Sequence, residues 1–210
     1  MLPAERWWQL LGLCLLLAGG QQLAAAGVIK AKAWLAPVLI ERAWQESLAK
    51  SGPVPPWPWA DTWPIARLQV PAAGVNLLVL AGDSGNALAF GPGHAHASAQ
   101  PGKSGTVVIG GHRDTHFAFL RELKPAMMLT LESAGGINRS YRVETSTIVD
   151  AGRHRLAVQD PQDRLLLVTC YPFDAVSVGG SLRYVVTARP TAQAITGFPQ
   201  IGNHQQAYKL

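Results

Sequence analysis

The sequence predicts an all-β domain, either a barrel or a sandwich, behind an N-terminal apolar segment. From residue 65 onward, short apolar runs alternate with turn residues at intervals of about ten residues. The 21 glycines and 15 prolines favour short elements and turns. With 48% hydrophobic and 15% charged residues, the composition predicts a packed core and argues against long disordered tracts. The net charge of +5 is scattered, without the basic stripe that nucleic-acid binding needs.

Seven segments have the composition of strands, and Gly, Pro, Asn and Asp punctuate them. They are residues 66–70, 75–81, 106–111, 127–133, 141–149, 164–171 and 183–189. The stretch SAGGINRS, residues 133–140, predicts a hairpin loop. Residues 114–123 predict a short helix that packs on the sheet through four apolar side chains: Phe117, Phe119, Leu120 and Leu123.

The N-terminal segment carries no charge from Trp7 to Ile29, a stretch of 23 residues. A helix of this length crosses a bilayer, since each residue adds about 1.5 Å. We expect an uncleaved single-pass anchor, because a second apolar stretch follows at once. It would leave the folded domain on the extracytoplasmic (periplasmic) side of the cell membrane. A signal peptide cut after the alanines at 24–26 is the alternative.

Residues 31–50 predict a short amphipathic helix that lies as a stalk near the membrane surface. Its apolar positions recur at helical spacing: Trp34, Leu35, Val38, Leu39 and Ala43. The proline- and tryptophan-rich stretch that follows predicts an extended, stiff linker. The chain therefore divides into an anchor (1–29), a juxtamembrane helix with linker (30–62), a folded domain (63–190) and a C-terminal tail (191–210).

Cys170 is the single cysteine of the folded region, since the other, Cys14, lies in the apolar leader. It ends the apolar run LLLVT, and Pro172 follows two residues later. This placement predicts a buried strand that delivers one thiol to a cleft. A buried cysteine acting as a small hydrophobic side chain would explain the same position.

His112 also follows an apolar strand, at residues 106–111, and precedes a polar turn. A loop histidine that caps the next helix is the alternative interpretation. The spacing of His112 and His116 suggests a metal site, with His94 and His96 as further ligands. However, the glutamate of the helical zinc motif is missing and a strand precedes the pair. We expect no metal and no other cofactor.

Arg183 begins the strand after Cys170 and shares a face with Val185 and Thr187. It could equally be a solvated arginine at a strand edge. Cysteine, histidine and arginine together supply what thiol chemistry on a carbonyl needs. These are a nucleophile, a proton donor for the leaving amine and positive charge for the oxyanion.

Three motifs resemble the sortase family. Residues 166–170, LLVTC, resemble the sortase signature Thr-Leu-x-Thr-Cys, with Leu166 in place of the first threonine. VVIGGHRDTHFAFLREL and SLRYVVTA resemble the segments that carry the catalytic histidine and arginine. The resemblance covers roughly residues 65–190 in the right order. The residues around Cys170 and His112 are most similar to class D-like sortases and to the Gram-negative (proteobacterial) type.

The resemblance implies a closed eight-stranded β-barrel with short helices and a cysteine transpeptidase activity. Cys170 would attack a backbone carbonyl in a Leu-Pro-x-Thr-Gly-like sorting motif, and an amine would resolve the thioacyl enzyme. His112 would move the proton, and Arg183 would stabilise the oxyanion or hold the substrate. The implied partners are a substrate protein with a C-terminal sorting signal and a cell-surface amine acceptor.

Four further residues are expected to contact the substrate. Thr169 precedes the nucleophile, and His94 lies in a Gly-x-Gly-His turn. Ala157 and Val158 belong to the loop before the Cys170 strand, a position that shapes the substrate groove in sortases.

Three other interpretations remain open. A cysteine hydrolase would use the same three residues with water as the acceptor. An L,D-transpeptidase-like enzyme would need a Ser-x-Gly-Cys motif, whereas Val-Thr precedes Cys170. A non-catalytic, membrane-tethered β-domain would keep Cys170 and His112 apart or buried.

Overall fold

The computed structural model describes residues 4–50, 52–83, 85–153, 162–175 and 179–191. Eight strands form one sheet: β1 (Pro64–Val70), β2 (Val75–Ala81), β3 (Gly93–His94), β4 (Thr106–Gly110), β5 (Met128–Ser133), β6 (Asn138–Asp150), β7 (Arg164–Cys170) and β8 (Leu182–Pro190). The helices are α1 (Ala4–Lys50) and α2 (Gly85–Leu88), with 3₁₀ turns at Pro71–Ala73 and Ala118–Glu122.

The sheet closes into a barrel, which confirms the predicted eight-stranded barrel. The strand order is β1-β2-β3-β4-β7-β8-β6-β5, and β5 pairs with β1 to complete the ring. Two neighbouring pairs are parallel, β2 with β3 and β4 with β7, and the others are antiparallel. All seven predicted strands are present, whereas the two-residue β3 was not predicted.

The barrel interior holds the main core. Alternate side chains of β1, β5 and β7 point inward, as the period of two requires. Leu68, Leu131 and Leu167 are fully buried there. The predicted helix at 114–123 forms as the 3₁₀ turn Ala118–Glu122, and Phe117, Leu120 and Leu123 join the same core.

Helix α1 joins the predicted anchor and the predicted juxtamembrane helix without a break, through Pro37. By length and composition, one helical stretch, Leu11–Lys50, is apolar enough to cross a membrane. Its C-terminal part packs on β1 and β2 rather than standing free. Glu41 forms an ion pair with Arg67 at 2.6 Å, and the Arg67 guanidinium lies 5.6 Å above the Trp44 ring.

The prediction of which residues form the apolar face of this helix is therefore wrong. The buried residues are Ala36, Ile40, Ala43, Trp44 and Ser47, at the 3–4 residue spacing of one helix face. Of the predicted residues only Ala43 belongs to this face, while Trp34, Leu35 and Val38 are exposed. The face that packs on the barrel carries small residues, which allow the helix to approach closely. It also carries Trp44, whose ring lies under the Arg67 guanidinium.

The proline- and tryptophan-rich segment is docked on the barrel rather than extended away from it. The Thr62 hydroxyl donates to the Ala81 carbonyl at 2.7 Å. The Trp57 ring meets Phe90 edge to face at 5.2 Å and packs beside Ile40. Apolar contacts thus hold this segment to α1 and to the chain around α2.

Candidate active site

Cys170 is the last residue of β7 and is partly exposed. Inward residues of this strand, Leu165 and Leu167, belong to the barrel core. Leu166 and Val168 belong to a separate cluster on the outer surface. Because side chains alternate along a strand, the Cys170 thiol projects on the outer face with Leu166 and Val168.

His112 follows the end of β4, the parallel neighbour of β7. The pairing of Gly110 with Val168 is continued by a hydrogen bond from the Gly111 amide to the Val168 carbonyl at 3.1 Å. His112 therefore lies level with Cys170, on the adjacent strand end. The imidazole is exposed, as access to a substrate requires.

Two side chains hold the His112 segment against the end of β7. The Thr169 hydroxyl donates to the Gly111 carbonyl at 2.7 Å. The Arg113 guanidinium donates to the Ala175 carbonyl at 2.6 Å, in the loop that follows Cys170. These bonds fix the backbone on both sides of His112 relative to the nucleophile.

Gly111 lies directly on the ring of Phe117. A Cβ at position 111 would come within 2.8 Å of Phe117 Cγ, closer than real Cβ contacts. Phe117 is fully buried, and its amide donates to the His112 carbonyl at 2.9 Å. The glycine that precedes His112 is therefore required by packing.

Arg183 is the cross-strand partner of Cys170 in the antiparallel pair β7–β8. The Tyr171 amide bonds to the Leu182 carbonyl at 3.0 Å, so the next pair, Cys170–Arg183, is of the non-hydrogen-bonded kind. In such pairs the Cα atoms lie about 4.5 Å apart and both side chains share one face. The Arg183 guanidinium donates to the Gly180 carbonyl at 2.7 Å and to the Leu182 carbonyl at 2.9 Å.

An aromatic cluster follows the nucleophile. Tyr171 stacks on Tyr184 at 6.3 Å, and Phe173 meets Tyr184 edge to face at 5.2 Å. The Arg121 guanidinium lies 5.5 Å above the Phe173 ring, which ties the cluster to the 3₁₀ turn after His112. These contacts hold the chain on both sides of Cys170 and Arg183 in place.

An apolar patch on the outer barrel surface borders Cys170. Its buried members are Val108, Leu166 and Val185, with Ala95, Val149 and Val168 packed around them. The motifs gave no indication of this patch. The signal was the unbroken apolar runs in β4 and β7, which indicate strands covered on both faces.

Thr169 does not share a face with Cys170. It is buried, and its hydroxyl is engaged with the Gly111 carbonyl. This argues against the expected substrate contact and gives Thr169 a positioning role instead.

His94 is also buried, within β3 rather than in a turn. Its Nε2 lies 2.9 Å from the Ala99 carbonyl and 3.1 Å from Ser98 Oγ, and its Nδ1 has no partner. Burial, the largest effect, lowers the pKa of His94, so the ring is held neutral. These observations argue against the expected contact with substrate.

His116 lies close enough to His112 for the two rings to interact electrostatically. Burial is the largest cause that lowers the pKa of His116, the nearby His112 lowers it further, and Asp114 acts in the opposite direction.

Within the described part of the chain, no group of three or more His, Cys, Asp or Glu residues could hold a metal ion. Ala157 and Val158 lie outside the described residues.

Comparison with known proteins agrees with this architecture. The sortase domain family matches residues 68–191. Sortase D of Bacillus subtilis (strain 168) is 32% identical over 120 residues, which is 57% of this chain and 60% of that protein. The chain therefore spans less than two thirds of this curated relative.

Solved sortase structures share the fold. Sortase C-1 of Actinomyces oris superposes with a TM-score of 0.54 at 27% identity, over 62% of this chain and 76% of that one. The Clostridium perfringens sortase D5 transpeptidase gives a TM-score of 0.57 at 18% identity, over 72% of this chain and 93% of that one. The chain belongs to the sortase family. These relatives do not support the predicted Gram-negative type.

Proposed function

We propose that this protein is a membrane-anchored cysteine transpeptidase of the class D-like kind. The observation that supports the proposal is that Cys170 ends β7 and Arg183 lies near the start of β8, while His112 follows the end of β4, so that all three belong to one end of three adjacent strands. The Cys170 strand lies between the other two, so the segments that carry His112 and Arg183 flank the strand of the thiol on both sides. The 32% identity to sortase D supports the subclass.

The chemistry follows from this arrangement. The Cys170 thiol gives its proton to His112, its sulfur attacks the carbonyl carbon of a sorting-motif peptide bond, and the developing oxyanion is stabilised by positive charge from Arg183. His112 gives a proton to the leaving amine, the C–N bond breaks, and a thioester on Cys170 remains. An incoming amine then attacks the thioester and loses a proton to His112. The C–S bond breaks, and His112 returns the proton to the Cys170 sulfur, which leaves the new amide and the free thiol.

The surroundings of Cys170 favour a peptide with apolar side chains. The buried cluster of Val108, Leu166 and Val185 lies on the same face as the thiol, and its partly buried neighbour Val168 would meet an apolar residue of a Leu-Pro-x-Thr-Gly-like motif. The Arg183 guanidinium donates hydrogen bonds to two backbone carbonyls and is only partly buried. An oxyanion or a substrate carbonyl would compete with those two carbonyls for the same N–H donors.

The proposed partners are a substrate protein with a C-terminal sorting signal and a cell-surface amine. Helix α1 would hold the enzyme at the cell membrane, with the barrel on the extracytoplasmic side. The apolar stretch of α1 supports the anchor by its length and composition.

The experiment is mass spectrometry of the full chain, kept in detergent or vesicles, with Leu-Pro-x-Thr-Gly-type peptides and a panel of amines. Cys170→Ala and His112→Ala are compared with His96→Ala, an exposed histidine, as the matched control. We expect an acyl adduct on Cys170 that becomes an amine-ligated peptide, lost in the first two variants and kept in the control.

The outcomes separate the alternatives. An adduct that yields only hydrolysed peptide with every amine would replace the transpeptidase with a hydrolase. No adduct, together with failure of a small thiol reagent to label Cys170, would show that the thiol is structural and would end the enzyme proposal.

A further inference from the structure

A second surface of this protein, far in sequence from the catalytic residues, carries exposed apolar side chains. Its members are Trp34, Leu35 and Val38 of α1 together with Trp59 and Phe90, and we call this set the α1 apolar face. Trp34 and Trp59 are 79% and 82% exposed. Large apolar groups clustered at this exposure indicate an interaction surface.

The α1 apolar face borders a groove of about 570 Å³. Leu35 and Leu39 of α1 form one wall, and Trp57, Trp59 and Phe90 form much of the other. Asp61 is the acidic residue in the lining, and it accepts a hydrogen bond from Asn86 at 3.0 Å. Three elements distant in sequence thus contribute to one apolar surface.

The position of this face follows from the continuity of α1. The uncharged stretch ends at Ile29, and Lys30 and Lys32 follow. Because α1 is a single helix, Trp34 lies about 6 Å and Leu35 about 7.5 Å along the axis beyond Lys30, at about 1.5 Å per residue. The headgroup layer is about 5–7 Å thick on each side of the hydrocarbon.

Trp59 lies beside this part of α1, because Trp59 and Leu35 line the same groove. We propose that the α1 apolar face docks into the headgroup–acyl boundary of the bilayer in which α1 is anchored, and so fixes the barrel against the membrane surface. Tryptophan rings favour this layer, and lysine side chains reach its charged groups. The inference rests on the membrane anchor proposed above, and it holds independently of the reaction at Cys170.

The chemistry of the face supports lipid as the occupant. A second copy of the chain would also cover apolar surface, but it would not explain two tryptophans just beyond the end of a membrane-spanning stretch with lysines between. Anionic lipid headgroups complement the positive charge of those lysines.

The test is tryptophan quenching in the full chain, reconstituted in vesicles of phosphatidylcholine and phosphatidylglycerol. The signal of Trp59 is the wild-type fluorescence minus that of Trp59→Phe. The matched control is the same difference for Trp63→Phe, since Trp63 is a half-buried tryptophan directly before β1. Vesicles whose acyl chains are brominated near the headgroup quench rings at that depth, and aqueous iodide quenches rings exposed to water.

We expect brominated lipid to remove more than half of the Trp59 signal and iodide to leave it unchanged, with no lipid quenching of Trp63. A Trp59 signal open to iodide and insensitive to brominated lipid, in protein that floats with the vesicles, would overturn the docking and leave the anchor intact. Protection that grows with protein density without lipid quenching would assign the face to a second copy instead. Protein that does not float with the vesicles would overturn both the anchor and the docking.

Discussion

Replacing Gly111 by alanine tests whether packing beneath the catalytic histidine sets its position. The new Cβ would lie 2.8 Å from Phe117 Cγ, and ordinary contact begins at 3.4 Å. One side of the contact must therefore move by about 0.6 Å. Phe117 is fully buried and packs edge to face against Phe119, so the backbone at Gly111 and His112 is the side that moves.

The expected effect is large on catalysis and moderate on stability. A misplacement of 1 Å costs roughly 10²-fold in rate, so a 0.6 Å shift of His112 should slow acylation of Cys170 by about 10-fold or more. Overpacking of this kind lowers the free energy of unfolding by about 1–3 kcal/mol.

The assay is the rate of acyl-adduct formation on Cys170, measured beside the thermal midpoint. Gly110→Ala is the matched control, because a Cβ there meets nothing closer than 4.0 Å. It should stay within about twofold of wild type. Adding Phe117→Leu to Gly111→Ala should recover part of the rate, since the ring is removed. A Gly111→Ala protein with the wild-type rate and midpoint would refute the argument.

Three further predictions use other contacts of the same barrel. Thr169→Val removes the hydroxyl donor to the Gly111 carbonyl, so it should lower the free energy of unfolding by about 1 kcal/mol and reduce kcat with KM nearly unchanged. Thr169→Ser keeps the hydroxyl and should keep the wild-type stability and kcat. Equal kcat in wild type, Thr169→Val and Thr169→Ser would contradict the positioning role. Arg183→Ala should reduce turnover by about 10²–10³-fold at a thermal midpoint close to that of wild type, and turnover within threefold of wild type would show that Arg183 does not stabilise the oxyanion. Burial lowers the pKa of His94 in the folded state, so below the ordinary histidine pKa of 6.5 the unfolded chain binds more protons than the folded one. The stability present above pH 6.5 is therefore progressively lost as the pH falls below it. His94→Gln should reduce this pH dependence in denaturant titrations, and the part that remains is expected from His116, whose pKa is also lowered. An identical pH profile in His94→Gln and wild type would refute the assignment.

Much of the barrel could be predicted from local pattern alone. β7 and β8 follow from apolar runs bounded by turn residues, and a strand's period of two already places Arg183 with Val185 on one face. β3 could not be predicted in this way. It has two residues, Gly93 and His94, and it exists only because β2 and β4 supply partners on both sides.

The candidate site residues likewise divide into two groups: those whose role the sequence predicts, and those whose role depends on the residues packed around them. Cys170 at a strand end and His112 after a strand were evident from position and residue type. Thr169 and His94 were expected at the substrate, yet both are buried and hydrogen-bonded. Residue type shows that a side chain is able to bind, but only packing shows what it already binds.

By itself, the sequence determined the strands of the barrel, the apolar helix before it and the three residue types of the candidate site, because these depend on local periodicity and side-chain chemistry. The tertiary structure alone decided which strands are neighbours and which face of α1 is buried. Strand order β4-β7-β8 brings together residues that are 58 positions apart, as in the Gly111–Thr169 bond. The burial of Trp44 rather than Trp34 depends on Arg67, which lies on a different element. Such choices are set by contacts between distant segments, and no local pattern encodes them.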